Sequence, residues 1–339
     1  MRVYLLAALT GFAFSLVLCL VFIPVLRKLK AGQNILSYVK EHKSKSGTPT
    51  MGGLAFVFAA LIATAIFMRE AERSVVLALA IGLAYMAVGL IDDFLKKRRK
   101  ENLGLRAWQK FSFQTVIAVL AGVFCLRAGL TSLRIPFINI CVEIGFWIFP
   151  LAVFTFLATV NAVNLTDGLD GLAAGVSVPF FAVLGSIIAL TATVTATAGV
   201  DITRVTAGAA TATGATTQMP ILCFALTGAL CAYLIFNTPP ASVFMGDTGS
   251  LALGGLAASV GVFTGNALYI LVLGLPFVFS VVSVILQVIY YKATGGKRIF
   301  LMAPAHHHFQ EKGYSESKIS YAYSLVSALL GAVCLLCLG

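Results

Sequence analysis

Charge is what this sequence lacks. Lys and Arg number 24 and Asp and Glu 13 among 339 residues, so charged side chains make up only 11% of the chain. A soluble domain typically carries about 25%, and with 59% hydrophobic residues this one cannot cover a water-facing surface. Strict polar–apolar alternation is missing as well, and the apolar runs are too long for barrel strands, which leaves helices as the structures that satisfy their own backbone in lipid. The first apolar run has no small-residue cleavage site, and its positive cluster follows rather than precedes it, which excludes a removable signal peptide. Seven cysteines are an odd number placed mostly inside apolar runs. Even Cys334 and Cys337, spaced like a redox pair, read as packing residues, and no disulfide framework is expected. No internal repeat and no soluble module are evident.

What is present is a series of apolar runs of about 18–25 residues, each long enough to cross a hydrocarbon core of roughly 30 Å. The expected architecture is all-α: one integral membrane domain over residues 1–339, with ten transmembrane helices. The spans are placed at 3–26, 51–68, 75–95, 108–127, 143–163, 171–190, 219–236, 249–265, 268–291 and 319–338. Five inner loops then share one face, at 27–50, 96–107, 164–170, 237–248 and 292–318. Most Lys and Arg residues gather there, including Arg27, Lys28, Lys45, Lys96, Lys97, Lys110, Lys297 and Arg298. The positive-inside rule makes this face cytoplasmic and puts both termini outside. The net charge of +11 is therefore mostly topology, with attraction for anionic lipid as a secondary effect, and does not signal nucleic acid. On the outer side, 131–141 is expected to form a small hairpin, and 191–217 is Ala/Thr/Gly-rich low complexity without visible chemistry.

The 13 acidic residues include five in informative places. Asp92 and Asp93 close the third span. Asp167 and Asp170 lie in NAVNLTDGLDG (161–171), and Asp247 in FMGDTGS (244–250). The short inner loops holding the last three contain no Lys or Arg. Carboxylates at apolar helix ends are costly and functional by default. Several of them without neighbouring cations suit a hard divalent metal such as Mg²⁺, which takes oxygen ligands and substrate phosphates. It would stabilise charge on a phosphoryl group in transfer. The alternative for single residues, above all Asp167 and Asp247, is helix capping.

Two further segments stand on the same face. In KSGTPTMGG (45–53), Thr and Pro precede an apolar run as helix-start signals. Its glycines let backbone approach a ligand, and a helix N-terminus favours phosphate. A plain turn is the alternative. His306, His307 and His308 are consecutive, so from a regular helix they cannot converge as three metal ligands. One or two imidazoles can bind phosphate or move a proton; otherwise the run is a solvated loop.

Together, and in this order along the chain, GTPTMGG (47–53), Asp92–Asp93, 161–172, 243–250 and APAHHH (303–308) resemble the phospho-N-acetylmuramoyl-pentapeptide transferases. These belong to the polyprenyl-phosphate N-acetylhexosamine-1-phosphate transferases. The resemblance implies ten transmembrane helices with a cytoplasmic-facing active-site cleft, often as a homodimer, in the bacterial inner membrane. It implies Mg²⁺-dependent transfer from UDP-N-acetylmuramoyl-pentapeptide to undecaprenyl phosphate, giving lipid I and UMP. Carried onto this sequence, Asp247 is the Mg²⁺ ligand and Asp92 the base toward the lipid phosphate, with Asp93 beside it. Asn164, Asp167, Gly168, Leu169 and Asp170 form the nucleotide and diphosphate wall. Asn237 and Phe244 form the uracil site, Phe244 by stacking. Lys45, Thr50, Gln287, His306, His307 and His308 line the same cleft, with His306 counted among the catalytic groups. Gln310 departs from the expected pattern, which has Glu soon after the His run.

A sister transferase using UDP-N-acetylglucosamine would share the Asp motifs and the uridine site; the three-His run and the intact 47–53 segment favour the muramoyl enzymes. An ion-coupled transporter would typically hold its carboxylates near the bilayer midplane between repeated halves, and here they cluster at one end. The topology is testable in a cysteine-less background. Lys45→Cys, Lys97→Cys and Lys297→Cys should resist a membrane-impermeant thiol reagent in intact cells, and Thr206→Cys should react. Labelling at 206 that needs the inner membrane opened would invert the placement.

Overall fold

The computed structural model describes residues 1–29, 47–99, 104–138, 140–197 and 218–338. Lys45 and most of the 191–217 loop lie outside the described residues. The chain runs α1 (Arg2–Lys28), α2 (Gly53–Phe67), α3 (Arg73–Arg99), α4 (Ala107–Ala128), β1 (Ser132–Ile135), β2 (Ile140–Glu143), α5 (Ile148–Thr166) and α6 (Leu172–Thr197). It continues with α7 (Met219–Asn237), α8 (Gly246–Phe263), α9 (Ala267–Leu273), α10 (Leu275–Ala293), α11 (Ala305–Glu311) and α12 (Glu316–Leu336).

Among the described residues eight helices are long and apolar enough to cross a membrane, namely α1, α3, α4, α5, α6, α7, α10 and α12. The protein is thus an all-α membrane protein, but two of the ten expected spans are of a different kind. α2 is apolar yet only 15 residues long. α8 has 18 residues, and every one from Thr248 to Phe263 is buried, as expected of a helix without a polar stripe at the centre of a bundle. A third expectation is corrected outright. The run 268–291 is not one helix but two, broken at Gly274 with Pro276 opening the second. Proline has no N–H to continue the preceding ladder and a ring that collides with it, but it fits a first helical turn.

α8 is packed by α3, α5 and α2, and the outer wall includes α1, α4, α10 and α12, which expose Leu5, Leu120, Ile289 and Leu329. Apolar residues on this wall face lipid. Between helices the association rests on small residues that let backbones approach. A side chain at Gly89 of α3 would fall on the carbonyl oxygen of Asp247, one at Gly53 on the backbone of Gly249, and one at Gly228 of α7 on the Ala8 carbonyl of α1.

The hairpin expected at 131–141 is present: β1 and β2 pair antiparallel, Ser132 opposite Glu143 and Ile135 opposite Ile140. Arg134 donates its N–H to the Gly265 carbonyl at 2.7 Å, which ties the hairpin to the far end of α8. Because residues up to Glu143 belong to the hairpin, the fifth helix begins five residues later than the hydropathy placed it.

Gly89 and Gly82 on α3 make a matched test. A side chain at Gly89 meets rigid backbone, and one at Gly82 meets only the flexible Leu256 side chain. Gly89→Val should lower stability by at least about 1–3 kcal/mol, the usual cost of overpacking, and Gly82→Val by less. Thermal unfolding in detergent reads the difference, and an unchanged midpoint for Gly89→Val would show that α3 and α8 can part there freely.

Candidate active site

The first turn of α8 is held by α3. Asp93, 1% exposed, accepts the N–H of Asp247 at 3.2 Å and that of Thr248 at 3.0 Å, and the Thr248 hydroxyl at 2.7 Å. These donors have no partner inside their own helix, so a residue from another helix performs the cap. The chain enters α8 through Gly246 at φ 70°, a left-handed geometry that glycine adopts freely. The space where a side chain would stand is taken by the Asp93 carboxylate and the Thr50 hydroxyl. Thr50 is 3% exposed, and its hydroxyl finds no hydrogen-bond partner among the described residues.

This cap aims Asp247 across the bundle. Its Oδ2 receives Lys96 at 2.9 Å and Lys110 at 2.8 Å. Its Oδ1 accepts the Asn164 amide at 2.9 Å, and that amide also reaches Ser250 Oγ at 2.8 Å. Lys96 turns back to Asp92, four residues earlier, at 2.6 Å. The other oxygen of Asp92 accepts the Leu105 N–H, also at 2.6 Å, and a side chain at Gly104 would fall on this carboxylate. Asp92, Asp93 and Asp247 each offer an oxygen within 4.8 Å of the others. The expectation that the carboxylates stand apart from cations is therefore overturned. Their own loops carry none, but α3 and α4 bring two in from elsewhere in the chain.

The 164–171 segment forms one side. Asp167 is pushed well above the usual carboxylate range by burial and then by the charges of Asp247, Asp93 and Asp170. Gly168 has no room for a side chain because the His306 and His307 imidazoles lie against it. Leu169, by contrast, belongs to the hydrophobic core. Asp170 accepts the Ala241 N–H at 3.0 Å, and its carbonyl accepts the Ser320 hydroxyl at 2.9 Å. Asn237 accepts the Gly171 N–H at 3.2 Å and donates to the Val243 carbonyl at 2.9 Å. Both residues thus splice the 167–171 and 237–245 loops together. Phe244 is half-buried and links those loops to the threonine–glycine segment: its N–H donates to the Pro49 carbonyl at 2.8 Å, and its carbonyl accepts the Gly52 N–H at 2.9 Å.

The histidines occupy helix α11 rather than a loop. As their spacing requires, the three do not share one point, although His306 and His307 lie side by side with ring centroids 4.4 Å apart. His306 is 0% exposed, neither ring nitrogen has a partner among the described residues, and burial followed by the charge of His307 pushes its pKa down to about 3. His307 Nδ1 lies 3.1 Å from Gln310 Oε1, and Gln310 donates to Glu316 at 3.4 Å. His308 turns away and accepts the Leu301 N–H at 3.1 Å. Gln287 accepts the Ile299 and Phe300 N–H groups at 3.0 and 2.9 Å, and it borders a separate cleft of about 340 Å³ with Tyr291, Lys292 and Arg298. The residues sequence reasoning passed over are Lys96, Lys110, Thr248 and Ser250. Lys96 carried a usable signal, being four residues from Asp92 on one helix face.

The sequence model of Glycosyl transferase family 4 matches residues 74–265, which places the chain among these membrane transferases. Signature 1 of the phospho-N-acetylmuramoyl-pentapeptide-transferases matches residues 45–57. A phospho-N-acetylmuramoyl-pentapeptide-transferase from Clostridium botulinum (strain Eklund 17B / Type B) is 40% identical over 328 residues, covering 96% of this chain and 93% of the relative. One from Listeria monocytogenes serotype 4b (strain CLIP80459) is 39% identical over 345 residues and covers 99% of both. One from Clostridium perfringens (strain SM101 / Type A) is 40% identical over 324 residues, covering 95% and 93%. The chain belongs to the phospho-N-acetylmuramoyl-pentapeptide-transferase family.

Neighbouring aspartates have different work in this geometry. Asp93→Ala removes the cap from α8 and should cost about 0.5–2 kcal/mol of stability; Asp93→Asn, which keeps one acceptor oxygen, should cost less. Detergent thermal scans separate the two, and equal midpoints for Asp93→Ala and the unaltered protein would refute the capping role.

Proposed function

We propose that this protein transfers phospho-N-acetylmuramoyl-pentapeptide from its UDP-activated form to undecaprenyl phosphate, releasing UMP, as a step of peptidoglycan synthesis. The observation that carries the reading is the meeting of Asp92, Asp93 and Asp247 within 4.8 Å at one end of an apolar bundle. Relatives that are phospho-N-acetylmuramoyl-pentapeptide-transferases favour the muramoyl substrate over N-acetylglucosamine. A transporter is disfavoured because the clustered aspartates Asp92, Asp93 and Asp247 lie at helix ends rather than midway along the bundle.

The donor set fits a divalent metal. Its oxygens are hard ligands of the kind Mg²⁺ takes, and Asp247, which the α8 cap aims into the cluster, is read as the residue that holds it. When bound, Mg²⁺ would neutralise diphosphate oxygens and stabilise the charge of the phosphoryl group in transfer. Asp92 is the group we assign to take the proton of the lipid phosphate. A lipid-phosphate oxygen then forms the new bond to the sugar-bearing phosphorus, and the bond from that phosphorus to the UMP oxygen breaks. Lys96 and Lys110 offer cationic donors to the departing phosphate. Phe244 is proposed to stack on uracil beside the spliced 237–245 loop, and Asn164, Asp167 and Gly168 to wall the diphosphate. His306, Thr50 and Lys45 are read as lining the same cleft. α2 and α8 are read as further crossings and α9 with α10 as one, which makes ten, with the site facing the cytoplasm of the bacterial inner membrane. Association as a homodimer is part of the same proposal.

Purified protein with undecaprenyl phosphate, Mg²⁺ and each UDP-sugar in turn tests the activity: UMP should appear with the muramoyl-pentapeptide donor, and release with UDP-N-acetylglucosamine alone would reassign the enzyme. Two amide substitutions test the division of labour. Asp247→Asn should bind Mg²⁺ more weakly and recover activity in part at high Mg²⁺. Asp92→Asn should lose roughly 10²–10⁴-fold in rate, the range for positioned acid–base groups. Extra metal should not restore it, whereas raised pH should in part. The opposite pattern of rescue would exchange the two roles. Phe244→Ala should weaken UDP-sugar binding by about 1–3 kcal/mol, the scale of base–aromatic stacking, and unchanged affinity would make Phe244 an interfacial anchor.

A further inference from the structure

Two lysines on one carboxylate oxygen have a consequence for how a metal could enter. Lys96 Nζ and Lys110 Nζ stand 2.9 and 2.8 Å from Asp247 Oδ2, and Asn164 occupies Oδ1 at 2.9 Å. Both lysine side chains are largely buried, 22% and 18% exposed, where an ammonium group needs an anion beside it. A divalent cation cannot share Oδ2 with two ammonium groups, so both must withdraw. Lys96 has an anion to keep, Asp92 at 2.6 Å. Among the described residues Lys110 has no second anion: its other contact is the neutral side-chain oxygen of Asn164 at 3.3 Å. Lys110 can leave Asp247 only when another anion arrives, and in the proposed reaction that anion is the diphosphate.

We infer that Lys96 and Lys110 occupy the metal's position on Asp247 until a nucleotide diphosphate draws Lys110 away, so that divalent cation and nucleotide bind with positive coupling. The inference rests on the reaction proposed above. Coupling between two ligands is reciprocal: whatever factor the nucleotide adds to metal affinity, the metal adds to nucleotide affinity. The lysines are positioning residues here. They set the order in which the site is filled, and without nucleotide they hold the buried carboxylates neutralised.

The test is Mn²⁺ binding by electron paramagnetic resonance on full-length protein in detergent, with and without UDP, subtracting the Mn²⁺–UDP complex measured in protein-free controls. In the unaltered protein UDP should raise Mn²⁺ affinity by about 5–150-fold, the usual span of such coupling. Lys110→Gln should bind Mn²⁺ alone more tightly than the unaltered protein by a factor in that range, with little further gain from UDP. Lys96→Gln should move the same way and serves if Lys110→Gln does not fold. Lys97→Gln removes the same charge from α3 without touching Asp247 and should leave Mn²⁺ affinity unchanged. Saturable binding with equal affinity in the unaltered protein and both lysine variants overturns this inference while leaving the metal site standing, as does an equal gain in Lys97→Gln. No saturable Mn²⁺ in the unaltered protein even with UDP overturns both the inference and the metal-dependent reaction.

Discussion

The carboxylate of Asp93 receives the backbone N–H groups of Asp247 and Thr248 and the hydroxyl of Thr248, and this anchorage fixes where α8 begins. The unpaired donors at a helix start carry a partial positive charge that favours an anion, so the contact is satisfied on both sides. Gly89 lets α3 lie against the Asp247 carbonyl, and Gly53 lets α2 lie against Gly249. With three helices locked at one turn, the Asp247 side chain has a single direction, toward Lys96, Lys110 and Asn164. A helix rises about 1.5 Å per residue, so a slip of one residue between α3 and α8 would be enough to uncouple the cap from the carboxylate it aims.

The second constraint is electrostatic. Asp92, Asp93 and Asp247 share a small buried volume, and buried charges are tolerated only when paired and hydrogen-bonded. The structure spends backbone donors on Asp93, a mixture of backbone and ammonium on Asp92, and ammonium and amide donors on Asp247. Asp167 is the group left least compensated, and its raised proton affinity records the same crowding. The loops bearing Asp170, Asn237 and Phe244 contribute differently: they are stitched to one another through backbone groups, which gives this wall a fixed shape.

Much of this was legible because charge is so scarce. An aspartate pair ending an apolar run has few bland explanations, and three of the five carboxylates singled out in the sequence meet within 4.8 Å. The division of work within the pair was not legible. Successive helical residues point about 100° apart, and which of the two meets α8 depends on packing. Lys110 looked like one more topology charge, since its partner Asp247 is 137 residues away. Helical geometry keeps three consecutive histidines from sharing one point, and His308 does turn away, but the meeting of His306 and His307 at Gly168 is something only contact reveals. The break at Gly274 had its signal in Pro276, hidden by an unbroken apolar run. The hairpin was legible as a short segment at 131–141, and its anchorage to Gly265 was not.

The ion pair between Lys96 and Asp92 spans a single helical turn and so belongs to α3 alone. It can form as soon as that helix does. The other partner of Lys96, Asp247, is synthesised 151 residues later. Asp92 is therefore paired before α8 is made, whereas Asp93 beside it receives its donors only from α8. When α8 is finally inserted, it docks onto a charge pair that has been waiting, and Lys96 extends an existing bond to a second acid.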